Sequence, residues 1–256
     1  MLSDLKGKVA VVTGGADGIG KASALKLAQS GADIVIADKN LDGATRVATD
    51  IRGMGRRATA IECDLWEYDS VKNMADKAIA EMGKVDILVA SGATTVKYAK
   101  FFRDLDPHDY AGCLNSQQFA RLYAIRALLD HMIEQNYGKI VIVTSDAGRT
   151  PTPRESMIGS AAAGLILVTK ALAKEFSRWN IRVNGVCLTV IQGTPAFDAV
   201  MGTDAKHVFQ KAVERAPFGI PTAEDVAEAV LFMASPETDV ITGQVISVNG
   251  GLSFGG

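Results

Sequence analysis

Short runs of β-branched and apolar residues alternate with longer amphipathic segments along the whole chain. The runs are Val9–Val12, Ile34–Ile36, Ala58–Ile61, Ile87–Val89, Ile140–Val143, Val183–Val186 and Val245–Val248. They are apolar or nearly so, without the regular polar alternation of a strand wetted on one face. Each is therefore predicted to be covered on both faces, as in a parallel sheet between helix layers. Helical periodicity fills roughly 18–30, 42–53, 68–82, 108–136, 155–178 and 223–235. Seven strands and their intervening helices predict one doubly wound α/β domain over residues 1–256, with no Pro/Gly-rich linker to divide it. The least regular stretch, 194–215, is expected to cover a ligand crevice. Two helices carry unusual surfaces. Ala161-Ala162-Ala163-Gly164 precedes a stripe of Leu165, Val168, Leu172 and Phe176, and the helix before it presents Leu114, Leu122, Ile125, Leu129 and Met132. These residues either pack on the sheet or admit a second subunit.

Composition narrows the class. With 256 residues, 48% of them apolar, the chain can bury a large core, which excludes disordered and low-complexity classes. Lys+Arg 27 against Asp+Glu 29 gives no electrostatic reason to expect nucleic acid or an anionic membrane. Lys170 and Lys174 interrupt the longest apolar run, and Met1-Leu2-Ser3-Asp4-Leu5-Lys6 has no apolar signal core. Cys63, Cys113 and Cys187 are scattered, without metal-ligand spacing, so neither a disulfide framework nor zinc is expected. The expectation is a cytoplasmic globular protein.

Candidate chemistry begins at Thr13-Gly14-Gly15-Ala16-Asp17-Gly18-Ile19-Gly20, which follows the first run and opens a helix. Glycines there permit a tight turn and close approach of backbone to a pyrophosphate, and the helix N-terminus offers N–H donors and partial positive charge. Asp38 ends the second run, 18 residues after Gly20. A carboxylate there accepts ribose hydroxyls and repels a 2′-phosphate, which favours NAD over NADP. Asp64, followed by Leu65, ends the third run, where a carboxylate reaches an adenine amino group. The alternative for both Asp38 and Asp64 is an ordinary exposed strand end. Asp17 faces the expected phosphates and adds like-charge repulsion there unless it caps the helix.

Together with these features, Asn115, Thr144-Ser145, Thr169-Lys170-Ala171-Leu172-Ala173, Ile181-Arg182-Val183-Asn184, Ala223-Glu224-Asp225-Val226-Ala227, Ile241-Thr242-Gly243-Gln244-Val245 and Asn249-Gly250-Gly251 resemble the short-chain dehydrogenase/reductase family over essentially the whole chain. The resemblance implies a seven-stranded Rossmann-like sheet, dimeric or tetrameric assembly and a nicotinamide cofactor bound by Gly14, Asp17, Gly18, Ile19, Gly20, Asp38, Asp64, Leu65 and Gly92. It also implies a catalytic Tyr-x-x-x-Lys, in which the phenol carries the substrate proton and the ammonium lowers the phenol's pKa and holds the nicotinamide ribose. Here the tyrosine place, 13 residues after Ser145, is Ile158, and the lysine place is Ala162. Neither side chain moves a proton. The family's Asn-Asn-Ala-Gly falls on Ala90-Ser91-Gly92-Ala93, and its Pro-Gly on Leu188-Thr189. Only Ser145 and Asn115 of the catalytic set remain.

Replacement acids are weak. Tyr68-x-x-x-Lys72 starts a helix at the adenine end, and Tyr110, Tyr123, Tyr137, His108, His131 and His207 lie away from the missing position. Tyr98 alone is expected near a strand end facing the crevice. Arg149 and Arg154 could bind an anionic substrate group but donate no proton near neutrality. Three readings follow. The first is a non-catalytic subunit of a hetero-oligomeric, NAD-dependent dehydrogenase of the hydroxyacyl-CoA type, paired, as in a heterotetramer, with an active paralogue that carries the working NAD site. NAD binding by this chain itself is then expected to be weak or absent. The second is a stand-alone NAD(H)-binding module, and the third an enzyme with non-standard acid/base chemistry.

Overall fold

The computed structural model describes residues 3–92, 96–202 and 214–254. Seven strands, β1 (Val9–Thr13), β2 (Asp33–Asp38), β3 (Ala58–Glu62), β4 (Ile87–Ala90), β5 (Gly138–Ser145), β6 (Ile181–Leu188) and β7 (Val245–Val248), form one parallel sheet in the order β3-β2-β1-β4-β5-β6-β7. Every expected run is a strand, and the order reverses between β1 and β4. That reversal opens a crevice at the carboxyl ends of these strands, where ligands bind in open α/β sheets. The expectation of two covered faces holds for the inner strands, and β1 and β4 are buried at every position. It fails at the two edges, where β3 and β7 are only partly buried.

Helices α1 (Gly18–Gln29), α2 (Leu41–Gly53) and α8 (Ala223–Ala234) cover one face; their core includes Leu27, Ile34, Ile36, Ile51, Val226 and Val230. Helices α3 (Tyr68–Met82), α5 (Ala120–Glu134) and α6 (Ser156–Phe176) cover the other, around Met74, Leu88, Leu128, Met132 and Leu165. Each fully buried side chain of this kind contributes about 1.5–3 kcal/mol of transfer free energy. α8 starts with a reciprocal cap: Asp225 N–H donates to Thr222 Oγ1 (3.2 Å), and Thr222 N–H to Asp225 Oδ2 (2.8 Å). These bonds hold the Asp225 carboxyl below its ordinary pKa.

Two long helices depart from expectation. The 108–136 stretch is α4 (Tyr110–Leu114), a π-turn over Asn115–Phe119, and then α5. The extra residue per turn interrupts a smooth 3.6 period at Asn115, which a periodicity reading passes over. α6 is the described helix with the length and apolar content of a membrane span, its two lysines notwithstanding. In this fold it is a sheet-covering helix, with Leu165, Ala173 and Phe176 in the core. Its small residues serve the chain itself. A Cβ at Gly148 would meet the Ala163 nitrogen at 2.5 Å, and one at Gly164 would meet Gln118 Nε2 at 2.7 Å. The outer side of the same helices still presents Leu167 (68% exposed) and Phe119. In the irregular 194–215 stretch, α7 (Pro195–Met201) forms part of the crevice wall; residues 203–213, His207 among them, lie outside the described residues.

Candidate functional site

The turn between β1 and α1 is built by exclusion. Gly14 adopts φ +63°, and a Cβ there would lie 2.4 Å from the Gly92 Cα; a Cβ on Gly20 would lie 2.0 Å from the Gly14 carbonyl oxygen. The ends of β1 and β4 are tied as well, because Thr13 Oγ1 donates to the Ser91 carbonyl (2.7 Å) and accepts from Ser91 N–H (2.9 Å). A crevice of about 610 Å³ runs from this turn past the ends of β4, β5 and β6. Gly14, Asp17, Gly18, Ile19, Gly20, Asp38, Asp64, Leu65, Gly92, Ser145 and Ile158 all line it. Asn115 is not in its wall, and Ala93 lies outside the described residues.

The two ends of the crevice differ. At the end of β2, Asp38 is fixed by Ala16 N–H (3.1 Å) and Asn40 N–H (2.9 Å), one to each oxygen. Each oxygen keeps a lone pair for an outside hydroxyl. Trp66 N–H similarly fixes Asp64 (2.9 Å). Asp17 takes the capping role: its Oδ1 accepts from Gly18 N–H (2.7 Å). A carboxylate thus occupies the positive helix end that an incoming phosphate would use.

At the other end the wall is apolar where proton chemistry would be needed. Ile158 (2% exposed) lines the crevice, while Ala162 (3%) is buried beneath it. Ser145 Oγ accepts from Ala147 N–H (3.1 Å), capping the short turn after β5. Thr189 adds a side chain at the place of the expected glycine, and its Oγ1 has no partner among the described residues. Asn115 donates to the Trp66 carbonyl (3.3 Å), and its Oδ1 is likewise unpartnered. The residues therefore fit the adenosine half of a dinucleotide and not its nicotinamide half.

Several expected alternatives fall away on geometry. Tyr98 does not face the crevice: it is buried against Ile158, Cys113 and Ala99, its hydroxyl packed over Gly112, and burial raises its pKa further from neutrality. The apolar surroundings of the 96–99 turn draw the ring inward, which its strand-end position did not reveal. Arg149 is spent on the Val245 carbonyl (2.6 Å) and Ser247, and Arg154 on the Ala99 carbonyl (3.3 Å). Tyr68 packs on Tyr123, and Lys72 pairs with Asp76. His131 Nε2 accepts from Val85 N–H (3.1 Å).

Two ionisable groups in the wall, Glu155 and Arg121, carry no motif and were not anticipated. Glu155 stands just before α6, without a capping bond, and burial pushes its carboxyl up from 4.5 to about 7. Between these values the folded chain keeps a proton that the unfolded chain has lost, so stability falls as pH rises through that window. Glu155→Gln is accordingly expected to stabilise the protein at pH 8 by up to about 2–3 kcal/mol and to be neutral at or below pH 4.5. Denaturant melts of both proteins at the two pH values check this; equal stability at pH 8 contradicts it.

A family profile described as enoyl-(acyl carrier protein) reductase matches residues 14–253. The chain is 31% identical over 249 residues to the 3-oxoacyl-(acyl-carrier-protein) reductase FabG of Thermotoga maritima, covering 97% of this chain and 98% of the relative. It is also 31% identical over 256 residues to the BbsD subunit of (2S)-[(R)-hydroxy(phenyl)methyl]succinyl-CoA dehydrogenase of Thauera aromatica, covering 98% of each. Among solved structures, a 7α-hydroxysteroid dehydrogenase complexed with NADH and 7-oxoglycochenodeoxycholic acid superposes with a TM-score of 0.90 at 31% identity, over 97% of this chain and 95% of the other.

Proposed function

Since the chain belongs to the short-chain dehydrogenase/reductase family, we propose that it is a non-catalytic subunit of a hetero-oligomeric, NAD-dependent dehydrogenase of the hydroxyacyl-CoA type, docked to an active paralogue. One observation carries this reading. At the tyrosine and lysine places stand Ile158 and Ala162, buried and apolar, while the seven-stranded sheet, its described helices and the family's carboxyl-terminal motif are retained. Assembly needs the second set of features and not the first. The relative named as a dehydrogenase subunit and acting on a hydroxyacyl-CoA supplies the substrate class, and Leu167 and Phe119 offer an apolar outer face to a partner.

This chain's own residues then hold a fold rather than move a proton. Ser145 still offers a hydroxyl to a carbonyl, but among the described residues no neighbouring phenol or ammonium completes a relay. Co-expression with a paralogue whose Tyr-x-x-x-Lys is intact tests the assembly. A stable mixed oligomer is expected, and recovery of this chain only as a homo-oligomer overturns the reading. NAD binding by the isolated chain is weak in this account, because Asp17 adds charge repulsion and no lysine holds the ribose. Asp17→Ser keeps the cap while removing the charge, and calorimetry is expected to record NAD affinity rising by up to about tenfold. Unchanged affinity counts against the role assigned to Asp17, and tight binding by the unaltered chain favours a stand-alone NAD(H)-binding module instead.

Glu155 favours a second reading, an enzyme with non-standard acid/base chemistry, because it is ionisable near neutrality in the same wall as Ser145. Turnover by the purified chain that Glu155→Gln abolishes establishes that reading and removes the first.

A further inference from the structure

Arg121 is a charged side chain in the interior with no countercharge among the described residues. It is 5% exposed and lies in the crevice wall. Its Nε donates to the Val143 carbonyl (3.1 Å), and its Nη1 to the carbonyls of Gly92 (3.0 Å) and Ser116 (2.8 Å). These acceptors come from the ends of β5 and β4 and from the π-turn, so three separate segments hold the guanidinium plane in one orientation. All three are neutral. No carboxylate of the described residues lies within 4.0 Å of it, although Asp17, Asp38, Asp64 and Glu155 share the same crevice. Nη2, the remaining donor nitrogen, has no protein acceptor among the described residues and is not sealed from the crevice.

A buried guanidinium without an anion is expensive, and three carbonyl dipoles offset only part of the desolvation. Burial pulls its pKa down to about 10, which leaves it charged at neutral pH. A ligand anion meeting Nη2 would supply the missing countercharge through preorganised, charge-assisted hydrogen bonds. The surrounding wall is largely apolar, with Val143, Ile158, Leu188, Val190 and Phe197. Its volume falls in the range of small-molecule sites.

We infer that the crevice binds a small organic carboxylate, its acid group on Arg121 Nη2 and its hydrophobic body against Ile158, Val190 and Phe197. Such a site needs neither a phenol nor a bound dinucleotide, so it goes beyond the subunit reading and stands or falls apart from it. It also gives the crevice a use that the loss of Tyr and Lys leaves intact.

Titration calorimetry on the full chain tests it with four probes: benzoate, its neutral counterpart benzyl alcohol, inorganic phosphate and NAD. Trp66, in the same wall, provides a second signal through its fluorescence. Benzoate is expected to bind saturably and at least about tenfold more tightly than benzyl alcohol, which corresponds to about 1.4 kcal/mol for the charge. Arg121→Gln is expected to erase that preference, and Arg121→Lys to keep part of it. Should Arg121→Gln fail to fold, the benzoate-to-benzyl alcohol ratio in the unaltered chain still decides. Equal binding of these two, or no saturable benzoate binding, overturns the proposal. Phosphate binding as tightly as benzoate overturns it in favour of a plain phosphate site. NAD displacing benzoate with higher affinity overturns it in favour of a dinucleotide site. Each of these outcomes is read on the homogeneous chain, whereas failure of the subunit reading is seen in the oligomer.

Discussion

Purified alone, the chain should oxidise alcohols with NAD at least about four orders of magnitude more slowly than a relative with a complete Tyr/Lys pair. The figure follows from two independent losses. General acid–base catalysis by a positioned phenol is worth about 10²–10⁴ in rate, and a cation poised at the reacting centre adds roughly another 10²–10³. Ile158 and Ala162, which stand in those places, supply neither contribution. Any residual rate should also be insensitive to Ser145→Ala, because in this account that hydroxyl caps the turn after β5 and passes no proton. Steady-state nicotinamide absorbance with the homogeneous chain measures both effects. A rate within a hundredfold of a complete relative, or one that collapses in Ser145→Ala, would contradict the account.

The second large effect is structural. Gly20→Ala is expected to cost about 3 kcal/mol or more, lowering Tm by about 6–12 °C. The added carbon would lie 2.0 Å from the Gly14 carbonyl oxygen and 2.7 Å from its carbon. Both atoms are backbone and cannot rotate away, so α1 must move off β1. The turn that narrows the crevice moves with it, and ligand binding should weaken in step. Gly53→Ala is the control. At the end of α2 an added Cβ meets nothing within 4 Å, and the substitution should be neutral or stabilise by up to about 1 kcal/mol. Thermal melts of the two variants side by side separate a steric requirement from a general preference for glycine. Similar behaviour in both would remove the argument from close approach.

Most of the architecture was legible because seven apolar or nearly apolar runs leave a chain few other ways to fold. What escaped did so for local reasons. The kink at Asn115 is a π-turn, which shifts a helical period by one residue and leaves no compositional mark. β3 and β7 read as fully covered because sequence records residue type and not position in the sheet, and both are edge strands. At the site, the glycine turn, Asp38 and the missing Tyr/Lys pair were visible because each sits at a fixed spacing from a strand end. Glu155 and Arg121 were not, since a single charged residue among 56 charged side chains carries no pattern. Their character comes from burial. The chain supplies 22% charged residues, and only three-dimensional packing selects the two that line the crevice wall while desolvated. Tyr98 errs in the opposite direction: its place near a strand end pointed to the crevice, and packing against Cys113 and Ile158 turned it inward.

The central claim, that this subunit assembles but does not catalyse, is tested most directly in the mixed oligomer. Turnover should be measured with the catalytic tyrosine removed from the paralogous subunit in one preparation, and with Ser145→Ala in this chain in another. The account predicts that the first preparation is inactive and that the second retains the full rate of the unaltered complex. Loss of turnover on Ser145→Ala, with the oligomer intact and the paralogue's tyrosine in place, would show that this chain takes part in the chemistry and would contradict the claim.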